Sequence, residues 1–202
     1  MKRFFKPLIN LQRHAVTLFL IAFIVLSCKD QPVITKENTM NESILEDYAN
    51  YNLWANEQFV EWLSNATDEQ LETEIESSFS TIRATIIHLW GAEYGWLTAL
   101  KNEPWGRPFD GDTFDGSNKD LFDHFIKTST AFKAFVNNIE ASNFKNKPKT
   151  DAEYTNEEVV LTVFNHASYH RGQIITLGRQ IGLTAPPRTD YIYYVREVRS
   201  KK

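Results

Sequence analysis

Cysteine is almost missing from this chain: Cys28 stands alone among 202 residues. Everything that follows it is free of thiols, so that part forms no disulfide and offers neither a thiol nucleophile nor a thiolate metal ligand. Positive charge is not in excess. Lys and Arg number 22 against 26 Asp and Glu, a formal net charge of −4, so nucleic-acid binding has no electrostatic support. A phosphate-binding glycine loop and an internal repeat are also absent. Hairpin turn signals are missing too, and the apolar residues recur at helical spacing, which argues against a strand-rich fold.

The lone cysteine follows a distinctive start. Residues 1–14 carry Lys2, Arg3, Lys6 and Arg13, and residues 15–26 are apolar apart from Thr17. A basic head before an apolar run too short for an ordinary span predicts a secretory signal. The run ends in Val25-Leu26-Ser27-Cys28, which resembles a bacterial lipobox. The expectation is a signal peptide over residues 1–27, lipidation at Cys28 and a flexible polar tether over residues 28–40. An uncleaved anchor with an incidental cysteine is the alternative. Either places the rest of the chain outside the cytoplasm, the first as a lipoprotein of the bacterial cell envelope, in the periplasm or at the cell surface. Its membrane partner is then reached through the lipid. The remaining stretch, residues 41–199, suits one domain with one core.

An all-α fold, a four-helix bundle with a short C-terminal segment packed on it, is expected. The spacing predicts helices over residues 42–64, 79–100, 118–139 and 156–181. Ser77, Ser78 or Ser80 would cap the second. Thr155 with Glu158 forms a capping box for the fourth, and Gly182 closes its end. Residues 101–117, with Pro104, Gly106, Pro108, Gly111 and Gly116, and residues 140–154 read as loops. After Pro186-Pro187 the segment Tyr191-Ile192-Tyr193-Tyr194-Val195 would pack on the bundle.

Within the fourth helix, His166 and His170 stand four residues apart, one above the other on one face. Their stripe reads Val159, Val163, His166, His170, Gln173, Leu177, so both histidines face the core. Two imidazoles in this geometry can grip one metal ion. A third ligand is needed for a site with one open position. His14 lies in the export region. His124 lies among Asp120, Lys127 and Thr128 and reads as a surface histidine. His88 lies on a face of small residues: Thr81, Ala84, Thr85, Gly91, Ala92, Gly95 and Ala99. Small residues allow either close helix packing or a pocket over the histidine. The pair elsewhere in the chain favours the pocket.

Helix one carries two amides, Asn52 and Asn56, within the apolar stripe Leu45, Ala49, Phe59, Leu63. They read either as hydrogen-bonding groups between helices or as a wall of the substrate pocket. Trp54, Trp90, Trp96 and Trp105 are further pocket candidates, although tryptophan at helical spacing is more often core. Gln173 would orient water or substrate, and Tyr169 would donate a proton or pack. Arg171 leaves the histidine stripe and is expected in a structural ion pair, with Glu93 or an acid of helix one. No glutamate lies between His166 and His170, which argues against a metalloprotease of that pattern. Glu93 and Glu57 are the candidate bases.

Three elements together carry a family resemblance: Tyr51-Asn52-Leu53-Trp54-Ala55-Asn56, then His88 followed by Ala92-Glu93-Tyr94-Gly95-Trp96-Leu97, then His166-x-x-x-His170-Arg171-Gly172-Gln173-Ile174. Their order and spacing resemble the DinB family, also called DinB/YfiT-like, over about residues 41–198. The resemblance implies a four-helix metalloprotein in which His88, His166 and His170 bind a divalent metal. Zinc suits three nitrogen ligands, with nickel, iron or manganese as alternatives. It also implies either a metal-dependent hydrolase or a thiol-dependent S-transferase or isomerase. Export favours hydrolysis of a small molecule by a metal-bound water, because low-molecular-weight thiols are kept reduced in the cytoplasm. A non-catalytic surface lipoprotein that binds a metal or ligand is the third reading. The expected partner is a small-molecule substrate or ligand, and a homodimer is compatible with all three.

Overall fold

The computed structural model describes residues 36–104, 109–149 and 153–201. The expected signal peptide, Cys28 and Trp105 lie outside them. Among the described residues no strand occurs and no helix is long and apolar enough to cross a membrane. Four long helices build the fold: α1 (Lys36–Leu63), α3 (Ile82–Leu100), α4 (Asn118–Asn138) and α5 (Asn156–Gln180). A single turn, α2 (Asp68–Leu71), precedes α3, and a short α6 (Tyr191–Glu197) follows α5.

The helix ends follow local chemistry. Thr155 and Glu158 form the expected capping box, and Gly182 leaves α5 with φ +89°, a backbone conformation open to glycine. The start of α3 differs from expectation. Its cap is Thr81, whose hydroxyl accepts from the Ala84 amide (3.0 Å), so the helix begins at Ile82 and not at 79. Ser77, Ser78 and Ser80 stay in the bend before it. At the other end of the bundle α1 begins at Lys36, inside the stretch expected as tether. The unexpected α2 has its own capping box, Thr67 with Gln70.

Two apolar clusters fill the bundle. One gathers Phe59, Trp62 and Leu63 of α1 with Ile86, Leu89 and Trp90, Leu121, Phe122 and Phe125, and Ile174 and Leu177. The other gathers Leu45 and Ala49 of α1 with Leu97 and Leu100, Phe132 and Val136, and Val159, Val160 and Val163. Between them every long helix contributes buried polar residues: Asn52 and Asn56, Glu93, Ser129 and Arg171. Phe125 and Phe132 flank this layer with almost no exposure, and truncating either to Ala would cost about 3–5 kcal/mol. Helix α1 and helix α5 come close where Gly178 meets Trp62; a Cβ there would lie 2.3 Å from the indole.

A third aromatic cluster seats α6 on α1. Tyr191 stacks on Tyr48 at 4.7 Å between ring centroids, and the Tyr51 hydroxyl donates to the Thr189 carbonyl at 2.8 Å. The segment expected to pack on the bundle therefore does so.

Candidate metal centre

His88 comes from the middle of α3, and His166 and His170 from successive turns of α5. Their Nε2 atoms converge. His166 Nε2 lies 2.9 Å from that of His88 and 3.1 Å from that of His170. One ligand atom from each of the three falls within 4.8 Å of the others. The three histidines singled out in the sequence therefore come together in the structure.

The donor chemistry fits a cation. A neutral imidazole nitrogen carries either one proton or one lone pair, so His166 Nε2 cannot satisfy two neighbouring nitrogens. A positive ion among the three would accept every lone pair. Tetrahedral zinc with Zn–N bonds of about 2.0–2.1 Å sets ligand nitrogens about 3.3–3.4 Å apart, close to the spacing seen. His170 is oriented for this role: its Nδ1 donates to Gln173 Oε1 at 2.7 Å, which leaves the Nε2 lone pair free. The three-histidine cluster could thus hold a metal ion.

Electrostatics keep the rings neutral. Burial, and then the neighbouring rings, pull His166 down to about 4. Burial lowers His88, with His170 adding to it, and burial lowers His170 against the opposing bond from Gln173. Neutral imidazole is the form that ligates.

A roof that sequence reasoning missed covers the cluster. Phe79 stacks on His88 with ring centroids 4.1 Å apart and tilts toward His170 at 5.7 Å. Beside it, Gln173 Nε2 donates to Ser78 Oγ (3.3 Å) and to the Tyr169 hydroxyl (3.2 Å). Tyr169 is 61% exposed and so forms the outer rim. Ser78, one of the serines expected as a cap, thus belongs to the site's cover, because Thr81 takes the capping role. Phe79, an aromatic just outside the cap of a histidine-bearing helix, was the signal available.

The other candidates lie elsewhere. Asn52 and Asn56 spend their amides inside the core. Asn52 Nδ2 donates to Glu93 Oε1 (3.2 Å) and Asn56 Nδ2 to Ser129 Oγ (2.9 Å), while Arg171 donates to both amide oxygens at 2.8 Å. Ser129 completes the layer by donating to Glu93 Oε2 at 2.5 Å. Its signal was a lone hydroxyl at helical spacing between Phe125 and Phe132. Arg171 and Glu93 are linked through Asn52, with Tyr51 under the guanidinium at 5.7 Å, so the expected pairing of Arg171 with Glu93 takes an indirect form. Burial pushes the Glu93 carboxyl up to about 7, against the opposing pull of Ser129, Arg171 and Asn52.

Glu57, the other candidate base, is exposed. His124 is not a free surface histidine: it is half-buried, with its ring 5.0 Å from that of Trp90. Trp90 donates to Thr128 and is core. Trp54 packs on Tyr51 and Tyr194, in the cluster that seats α6. Trp96 lines a narrow cavity with Asn56, Ala92, Glu93 and His166. The small-residue face of α3 meets a loop aromatic and a cavity, neither a closely packed helix nor a pocket lined by His88. Phe109 covers Gly91 closely, whereas Ala92 borders that cavity.

The chain resembles known proteins in sequence and in fold. The chain matches the DinB family over residues 38–199. It is 26% identical over 162 residues to Protein DinB of Bacillus subtilis (strain 168), covering 75% of this chain and 94% of that one. It is similar to the crystal structure of a DinB-like protein from Bacillus cereus ATCC 10987, with a TM-score of 0.55 and 26% identity, covering 66% of this chain and 90% of the other. The helical fold, the converging histidines and a match that runs from the first turns of α1 beyond the end of α6 agree, and the chain belongs to the DinB family.

Proposed function

We propose that this protein is a divalent-metal-dependent enzyme, with zinc as the metal, that hydrolyses a small molecule outside the cytoplasm. The observation that carries the reading is the convergence of three neutral imidazole nitrogens whose lone pairs have no mutual solution. His88, His166 and His170 would hold the ion. When bound, such an ion acts as a Lewis acid on an oxygen and lowers the pKa of water toward neutrality.

The surrounding residues define what the site does with a ligand. Gln173 fixes His170 and presents its amide at the rim, where Tyr169 offers a hydroxyl to an entering polar group. Phe79 shields the His88 ring from water and strengthens electrostatic interactions beneath it. Three described neutral side chains, Ser78, Tyr169 and Gln173, form this rim, which suits a small molecule recognised by hydrogen bonds and an aromatic contact. The lipobox-like Leu26-Ser27-Cys28 supports tethering of the protein to a membrane of the cell envelope through a lipid on Cys28.

The test is metal content and turnover in the purified protein. About one zinc per chain is expected, lost in His170→Ala. A panel of small esters, amides and lactones should then include substrates whose hydrolysis stops with a chelator and returns with zinc. Zinc binding without hydrolysis, but with metal-dependent alkylation of an added low-molecular-weight thiol, would replace this reading by thiol transfer.

A further inference from the structure

The narrow cavity behind the histidines has room for about one water molecule. Its walls are mostly apolar, with Leu89, Phe125 and Val163, but His166, Glu93 and Asn56 also line it. Two of these polar residues have hydrogen-bonding capacity to spare. Both described hydrogen bonds of His166 use Nε2, which leaves Nδ1 over. Glu93 receives one bond on each oxygen, from Asn52 and from Ser129, while a carboxylate offers about four lone-pair sites. A histidine that ligates a metal almost always donates its other ring N–H to a carboxylate, a carbonyl or a water. His170 has such an acceptor in Gln173.

We propose that this cavity holds one buried water that accepts from His166 Nδ1–H and donates to the Glu93 carboxyl group. Glu93 is then a positioning residue. It acts on His166 through the water, holds the ring with its Nε2 lone pair toward His88 and His170, and couples the metal centre to the buried polar layer. The role rests on the metal reading above. It also explains why a carboxyl group is kept 4% exposed, five residues beyond His88, in a core where ionisation is costly.

Two measurements on the full-length protein test it. A high-resolution crystal structure, with and without zinc, should show a solvent peak within hydrogen-bonding distance of both His166 Nδ1 and Glu93. Zinc affinity, read by competition with a chelating dye, should fall about 10-fold or more in Glu93→Gln. The same loss is expected in Val163→Ile, which fills the cavity and leaves every bond of Glu93 in place. Circular dichroism reports whether each variant is folded. A dry cavity in zinc-loaded protein, or unchanged zinc affinity in folded Val163→Ile, would overturn the water link and leave the metal reading intact. Failure of the wild-type protein to bind zinc would overturn the metal reading, and with it the positioning role, even with the water present.

Discussion

His170 and Arg171 are consecutive residues of α5, both buried, and they serve two polar regions of different kinds. Arg171 enters a closed network. Its guanidinium donates to Asn52, Asn56 and Ser168, and the amides pass the connection on to Glu93 and Ser129. Every group in that layer has a protein partner. His170 enters an open one, where three ring nitrogens meet in a cluster that could hold a metal ion. A polar group in the core marks function less by its burial than by whether its neighbours already satisfy it.

The largest expected effect separates the two regions by stability. Arg171→Met should lower unfolding stability by about 2–6 kcal/mol, because it leaves the buried Asn52 and Asn56 oxygens without their donor. Urea unfolding with chelator present measures it. A loss under 1 kcal/mol would mean that the layer is not energetically coupled. His166→Ala should do the reverse. Replacing residues that merely support a ligand costs about 10–100-fold in metal affinity, so removing the ligand itself should cost more than about 100-fold. Metal-free stability should change little by comparison.

The two regions also respond to pH with opposite signs. The histidines have folded pKa values below the ordinary 6.5, so the metal-free fold loses stability as pH falls from 6.5 toward about 4. Glu93 has a folded value raised from 4.5 to about 7, so its contribution is present below 4.5 and is lost as pH rises through 7. The opposing slopes partly cancel. Glu93→Gln removes one of them, and unfolding stability should then rise more steeply between pH 4.5 and 7, by less than about 3 kcal/mol across the window. An unchanged slope would show that the carboxyl titrates normally. The smallest effect concerns orientation alone. Gln173→Ala should weaken zinc binding about 10-fold with no measurable change in fold, read by the same dye competition.

Much of this contrast was legible in the sequence, for a physical reason. Periodicity of 3.6 residues placed His166, His170 and Gln173 on one apolar stripe and set Arg171 off it, and the small residues around His88 singled out the third histidine of the cluster. Caps written in side-chain chemistry, as at Thr155 and Glu158, were readable for the same local reason. What depends on contacts between distant segments was not. Nothing local says that Ser78 reaches Gln173, 95 residues away, or that Asn56 reaches Ser129, 73 residues away. The amides of α1 were ambiguous because hydrogen-bonding between helices and lining a pocket demand the same residue type. Most of their capacity proved to be spent on the buried network.

The adjacency of His170 and Arg171 has a consequence for assembly. Successive residues of a helix point about 100° apart, so α5 must satisfy two unlike receptors at two fixed angles at once. Aliphatic side chains tolerate repacking over a range of rotations, whereas a guanidinium aimed at two amide oxygens of α1 and an imidazole aimed at the His88 ring of α3 do not. The pair works as a rotational index for the helix. A single-residue insertion between Ala167 and His170 would turn the remainder of α5 by that angle, and no compensating slide could restore both receptors together.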